Sequence, residues 1–278
     1  MMPPHCFVIG HPIAHSRSPL IHGEWLRHYR LAGSYEAIDV APADLPAFIA
    51  RLRAGEFAGG NVTVPHKEAV MALVDEVSEA GRAVGAVNTL WRDGERIFAD
   101  NSDVSGFLAH LDATVPGWDD RVGTALVLGA GGAARGIAFG LKSRGVGRIL
   151  VANRSRGRAE ELASSFGAPL TAVDWERRGE AVGEAGLVVN TTALGMQGKP
   201  PLELDLSRLR PGTIVDDIVY APLRTALLAE AERRGGIVVD GLGMLLHQAV
   251  PGFGRWFGVT PQVTPALRDL IEADILKA

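Results

Sequence analysis

Short, continuously apolar runs alternate with helix-period stripes along nearly the whole chain, and no other feature restricts the fold as much. CFVIG (6–10) precedes a helix expected from Pro19 to about Arg30. SYEAIDV (34–40) precedes one carrying Leu45, Phe48, Ile49 and Leu52, the i, i+3, i+4, i+7 stripe of one buried face, with Gly55 just past its end. GNVTV (60–64) runs into Pro65 and a helix expected through Val74, and AVNTLW (86–91) turns through Asp93-Gly94 into RIFAD (96–100), a hairpin. Strands without polar alternation are buried on both faces, and strands separated by helices pair in parallel. The pattern therefore predicts an α/β protein with a mainly parallel sheet covered on both sides.

A second unit is expected from about residue 105, after a connecting helix that includes Phe107, Leu108 and Leu111. TALVLG (124–129), RILVAN (148–153), AGLVVNTT (185–192), GTIVDDIVY (212–220) and GGIVVDG (235–241) supply its strands, and stripes through Ala134, Ile137, Ala138, Leu141 and through Ala159, Leu162, Ala163, Phe166 supply two of its helices. The last helices, near Met244 and Pro265, follow the completed sheet and are expected to return to the first unit. That gives two domains, residues 1–104 with 243–278, and residues 105–242. There is no internal repeat. At 278 residues with 47% hydrophobic and 22% charged side chains the chain has ample material for two cores.

Gly129-Ala130-Gly131-Gly132-Ala133-Ala134 fits G-x-G-x-x-G/A directly after a strand and at the opening of an amphipathic helix. In that setting small residues let the backbone turn tightly and approach a pyrophosphate held at the helix N-terminus, so the second unit reads as a Rossmann-type dinucleotide-binding domain. The end of the next strand selects the cofactor. An acidic side chain there would hold the ribose 2′-hydroxyl of NAD; this chain instead has Asn153-Arg154-Ser155 and then Arg158. Guanidinium groups pair with a 2′-phosphate that a carboxylate would repel, so the expected cofactor is NADP(H).

Polar residues at strand ends in the first unit are the candidates for chemistry, because ligands of open α/β sheets sit at the carboxyl ends of strands. HSRSP (15–19) reads as Ser18 capping a helix with Pro19 at its first position, which turns unpaired N–H groups towards Ser16 and Ser18 and makes a place for a small anion. Asn61 and Thr63, two residues apart, share one side of their strand. Lys67 is expected in the first turn of the helix opened by Pro65, where the dipole disfavours a cation; that implies a negative neighbour, and Asp103 is the natural one.

HPIAHSRSP, NVTVPHK, AVNTL, DNSD, GAGGAAR, NRSRGR, DIVYAP and GLGMLLHQA, in this order over almost the whole chain, resemble the motif series of the shikimate dehydrogenase family. The resemblance implies a substrate domain and an NADP-binding domain with a cleft between them. It implies a catalytic Lys67 and Asp103, substrate-carboxylate serines Ser16 and Ser18, and further substrate contacts at Asn61, Thr63, Asn88, Tyr220 and Gln248. For the cofactor it implies a phosphate turn of Gly129, Ala130, Gly131, Gly132 and Ala133, a 2′-phosphate clamp of Asn153, Arg154, Ser155 and Arg158, and contacts at Ile218, Gly241 and, by spacing, Glu79. The implied activity is the NADPH-dependent, reversible reduction of 3-dehydroshikimate to shikimate in the aromatic amino acid pathway. The chain departs from the commoner pattern at Ser102, Ala99 and Thr191-Thr192-Ala193, none of which carries an assigned role.

Three other readings stay open on sequence: a quinate/shikimate dehydrogenase of broader specificity, a non-catalytic NADP-binding regulator, and a methylene-tetrahydrofolate dehydrogenase, against which the serine clasp and DNSD argue. A metal enzyme built on His5, Cys6, His11 and His15 is disfavoured, since neither H-E-x-x-H nor paired-cysteine spacing occurs. With 32 acidic against 28 basic side chains and no basic stripe, nucleic acid is not an expected partner. A single cysteine, no secretory-type N-terminus and no bilayer-length apolar run predict a cytoplasmic protein without a membrane partner, and a homodimer is left open.

Overall fold

The computed structural model describes residues 3–277, which divide into two compact units: one takes the residues up to Gly106 and from Leu246 on, the other Phe107–Leu245. Each is built on its own sheet, so the α/β class expected from the alternation is found.

The first unit holds strands β1 His5–Gly10, β2 Ser34–Asp39, β3 Gly59–Val62, β4 Glu76–Val77, β5 Thr89–Asp93 and β6 Arg96–Asp100. They form one sheet in the order β2-β1-β3-β5-β6-β4. β1 pairs in parallel with β2 and β3, and β4 with β6, while β5 runs antiparallel to both β3 and β6. The expected hairpin through Asp93-Gly94 is thus the antiparallel element that makes the sheet mixed. Helix Leu45–Arg53 buries Leu45, Phe48, Ile49 and Leu52 in a core with Phe7, Ile9 and Leu90. Helix Ala249–Phe257 packs on β3 and β5, where the indole N–H of Trp256 donates to the Leu90 carbonyl at 2.9 Å. A side chain at residue 59 would collide with that indole, which is why β3 starts on glycine.

One expected helix is not formed. After Pro65 the chain makes a turn and then a 3₁₀ helix, Ala69–Leu73, instead of an α-helix through Val74. The Lys67 carbonyl that an α-helix would offer to Met71 is occupied by the Val87 N–H at 2.9 Å, and Met71 bonds to Glu68 instead. The helix after HSRSP begins one residue earlier than expected, as Ser18–Tyr29 with Arg17 at the cap position, so Ser18 is not the capping side chain.

The second unit holds β7 Thr124–Leu128, β8 Arg148–Ala152, β9 Leu170–Val173, β10 Leu187–Asn190, β11 Ile214–Asp217 and β12 Ile237–Asp240. All five neighbouring pairs are parallel, in the order β12-β11-β10-β7-β8-β9. This is the doubly wound dinucleotide-binding order, whose direction reverses between β7 and β10. Alternate residues of β7 enter different cores, Ala125 and Val127 on one face, Leu126 and Leu128 on the other. That is the burial on both faces that its unbroken apolar run predicts.

Candidate active site

In the first unit Lys67 Nζ and Asp103 Oδ2 lie 2.7 Å apart, each side chain 29% exposed. The pairing is the expected one, but Lys67 lies in a turn and opposes no helix dipole, so the dipole does not account for it. Its backbone is fixed by the bond from Val87, and the neighbouring His66 is buried with Nε2 2.7 Å from the Val40 carbonyl. Asp103 stands in the first turn of helix Ser102–Thr114, where the dipole favours a carboxylate. The Asn101 side chain caps that turn, accepting the Asp103 N–H at 3.1 Å.

Asn88 supplies the second hold on the carboxylate, its Nδ2 donating to Asp103 Oδ1 at 2.9 Å. The Asn88 oxygen accepts from the Ser102 N–H at 2.7 Å, and from the Ser102 and Thr89 hydroxyls, both at 3.1 Å. Gln248, from the C-terminal segment, reaches the same cluster, with Oε1 3.4 Å from the Ser102 hydroxyl. Lys67, Asn88, Asp103 and Gln248 therefore form one polar group whose geometry is held by buried hydrogen bonds.

At HSRSP the Ser16 hydroxyl accepts the Ser18 N–H at 3.4 Å, a long bond at the start of the helix. Arg17 leaves the two serines and pairs with Asp274 of helix Pro265–Ile275 at 3.0 Å. The arginine thus anchors the clasp to the C-terminal helix. Thr63 lies just beyond the end of β3, its N–H donating to the Ile9 carbonyl at 2.8 Å. Asn61, inside β3, is 5% exposed and bonds to Asn88, Thr89 and Tyr35.

In the second unit Gly129 has φ +111° and donates its N–H to the Ala152 carbonyl at 2.8 Å; a Cβ there would stand 2.5 Å from Thr191 Oγ1. Packing and backbone conformation thus explain this glycine without a ligand. Gly131 and Gly132 are different. Neither has positive φ, both are exposed, and a Cβ on either meets nothing within 4 Å. Helix Gly132–Ser143 starts there with no side-chain cap and no acidic residue in its first turn. Open space in front of bare N–H groups suits an approaching phosphate, with Ala130 and Ala133 small enough to leave it clear.

Beyond the end of β8, Asn153 donates to the Ser155 carbonyl at 2.9 Å and closes the turn. Arg154 and Arg158 are exposed and have no ion pair among the described residues, whereas Arg156 between them is held by Glu160 and Asp174. Two free guanidinium groups and the absence of a carboxylate at this strand end fit a 2′-phosphate. Ile218 and Gly241 meet closely: a Cβ at Gly241 would lie 2.2 Å from the Ile218 carbonyl oxygen. Tyr220 follows in the same unit and is half-buried. Glu79, exposed at the first position of helix Glu79–Val84, belongs to the first unit.

Sequence reasoning did not single out Tyr35, Thr89 or Asn101, all of which hold expected site residues in place. Asn101 has a legible signal, an Asn two residues before an acidic residue at a helix start. Tyr35 and Thr89 look like ordinary strand residues until β2, β3 and β5 are placed in one sheet.

Comparison with known proteins bears on both units. Residues 8–90 match the shikimate dehydrogenase substrate binding domain, and residues 118–196 match the shikimate / quinate 5-dehydrogenase family. The chain is 57% identical over 276 residues to a shikimate dehydrogenase (NADP(+)) of Methylobacterium radiotolerans, covering 98% of each chain. It is 56% identical over 275 residues to one from Brucella abortus, covering 98% of this chain and 95% of that one. The solved shikimate 5-dehydrogenase of Thermus thermophilus, in complex with NADP(H) and shikimate, matches with a TM-score of 0.85 at 38% identity, covering 99% of both chains. The quinate dehydrogenase of Corynebacterium glutamicum, in complex with NAD, matches with a TM-score of 0.88 at 32% identity, covering 98% of this chain and 100% of that one. With identity above one half along nearly its full length, the chain belongs to the shikimate dehydrogenase family.

Proposed function

We propose that the chain is an NADP-dependent shikimate dehydrogenase, an oxidoreductase acting on a CH–OH group, which interconverts 3-dehydroshikimate and shikimate in the cytoplasm for aromatic amino acid biosynthesis. The observation that carries this reading is the Lys67–Asp103 contact of 2.7 Å with Asn88 on the second carboxylate oxygen. An amine held that way is placed to move a proton to and from a substrate hydroxyl.

The unit with Ser16, Ser18 and Lys67 takes the substrate, and the unit with Gly129 to Ala133, Asn153, Arg154, Ser155 and Arg158 takes the cofactor. Ser16 and Ser18 bind the ring carboxylate, Thr63, Asn88, Tyr220 and Gln248 bind its remaining polar groups, and Ile218, Gly241 and Glu79 complete the cofactor side. Asn61, expected to join the substrate contacts, instead spends its amide on Asn88, Thr89 and Tyr35 and supports them from behind. Bound NADPH would supply the hydride for the C3 carbonyl. Lys67, as an ammonium, donates the proton that the developing alkoxide needs; in the oxidation of shikimate the neutral amine removes it. Asp103 holds the amine and accepts a hydrogen bond from the substrate hydroxyl. The reading needs no nucleic acid or membrane partner, and a monomer or a homodimer satisfies it.

Initial rates with shikimate and quinate, each with NADP and with NAD, test the proposal. Fastest turnover is expected for shikimate with NADP. Faster turnover of quinate, or of NAD, would move the chain to the quinate-type reading, and cofactor binding without turnover of either acid would make it a regulator.

A further inference from the structure

The Asn61 amide is committed inside the fold. Its Nδ2 donates to the Asn88 carbonyl at 3.0 Å and to Thr89 Oγ1 at 3.2 Å, and its Oδ1 accepts the Tyr35 hydroxyl at 2.5 Å. The orientation is settled by chemistry: turned over, the amide oxygen would face the Asn88 carbonyl, acceptor against acceptor. Tyr35 therefore must donate. Its ring stacks on His22 at 4.0 Å with 18° between the planes, and His22 in turn stacks on Phe253 at 5.9 Å and 10°. His22 is fully buried, beside Asn61 but without a hydrogen bond of normal geometry, and burial pushes its pKa down to about 3, so a neutral ring backs the tyrosine.

Two hydrogen bonds lead from Tyr35 to the main-chain carbonyl of Asn88, and two more lead from the Asn88 side chain to the amine. The tyrosine hydroxyl binds Asn61 Oδ1, Asn61 Nδ2 binds the Asn88 carbonyl, Asn88 Nδ2 binds Asp103 Oδ1, and Asp103 Oδ2 binds Lys67 Nζ. Every link is between 2.5 and 3.0 Å. We propose that Tyr35 is a positioning residue for the Lys67–Asp103 pair, acting through Asn61 and Asn88. The inference rests on reading Lys67 and Asp103 as the reacting pair. Without the tyrosine proton Asn61 Oδ1 loses its donor, and the amide that supports the Asn88 main chain is held less firmly.

Tyr35→Phe removes only the hydroxyl and keeps the ring on His22. Shikimate oxidation should lose about tenfold in kcat, the worth of one neutral hydrogen bond, with KM for shikimate and NADP changed by less than about twofold. In an Asp103→Asn background the same substitution should cost less than about twofold, because the link it works through is already cut. An equal loss in both backgrounds would mean general loosening and would overturn the proposal. So would an unchanged kcat, or a rise in shikimate KM at constant kcat, which would make Tyr35 a substrate contact. Wild-type turnover tests the enzyme assignment separately. Independently of turnover, a crystal structure of Tyr35→Phe should show the Asn61 amide displaced and the Lys67–Asp103 contact lengthened; unmoved Asn61, Asn88 and Asp103 would overturn the role.

Discussion

Asn88 holds Asp103 by the carboxylate oxygen that Lys67 leaves free, at 2.9 Å, and is itself held by the N–H of Ser102, the residue just before that aspartate. The carboxylate cannot turn away from the amine without giving up two bonds at once. Charge-assisted bonds of this kind are among the stronger ones available to a half-exposed pair. The amine is therefore presented in one place before any ligand arrives.

Lys67→Ala should lower kcat by about 10²–10⁴, the usual contribution of a general acid–base group. Shikimate binding, measured calorimetrically, should persist, because the serine clasp and the Asn88 cluster remain. A variant with near-normal kcat would remove Lys67 from the chemistry.

The cofactor preference depends on which arginines are unpaired. Arg154→Ala and Arg158→Ala should each raise KM for NADP by about tenfold or more, the value of a hydrogen bond to a charged group, while KM for NAD stays nearly constant. Arg156→Ala should leave both constants close to wild type, since its guanidinium is already bound to Glu160 and Asp174. Steady-state kinetics with the two cofactors separates the three positions.

The two sheets were largely legible because an unbroken apolar run such as TALVL has few alternatives to a doubly buried strand. β9 and β4 were not, being edge strands of four and two residues with little burial to mark them. The segment after Pro65 misled because its outcome depends on a distant residue: Val87 takes the Lys67 carbonyl, and no local pattern announces that. Lys67 and Asp103 could be paired from motif and charge. The tyrosine behind them could not, because its link to Asn61 exists only once β2 and β3 flank β1.

Acid should weaken the first unit through His22. Its pKa falls from an ordinary 6.5 to about 3 in the folded chain, so between those values the unfolded state binds the proton that the folded state refuses. Stability from this group is complete above pH 6.5 and is lost as pH falls towards 3. From pH 7 to pH 5 the loss is about 2 kcal/mol. Urea unfolding of wild type and His22→Phe at the two pH values should show the variant losing less by about that amount.

Gly129 and Gly131 should respond oppositely to the same methyl group. At Gly129 φ is +111° and the new carbon would meet Thr191 Oγ1 at 2.5 Å, so Gly129→Ala should cost more than about 1 kcal/mol and lower Tm with or without NADP. At Gly131 φ is −90° and the carbon enters open space, so Gly131→Ala should keep Tm within the shift expected from about 0.5 kcal/mol. Its cost should appear in cofactor binding, as a raised KM for NADP and a smaller rise of Tm on adding NADP, because the methyl occupies the space a phosphate would use. An alanine at 131 that left NADP binding unchanged would mean that no phosphate approaches this turn.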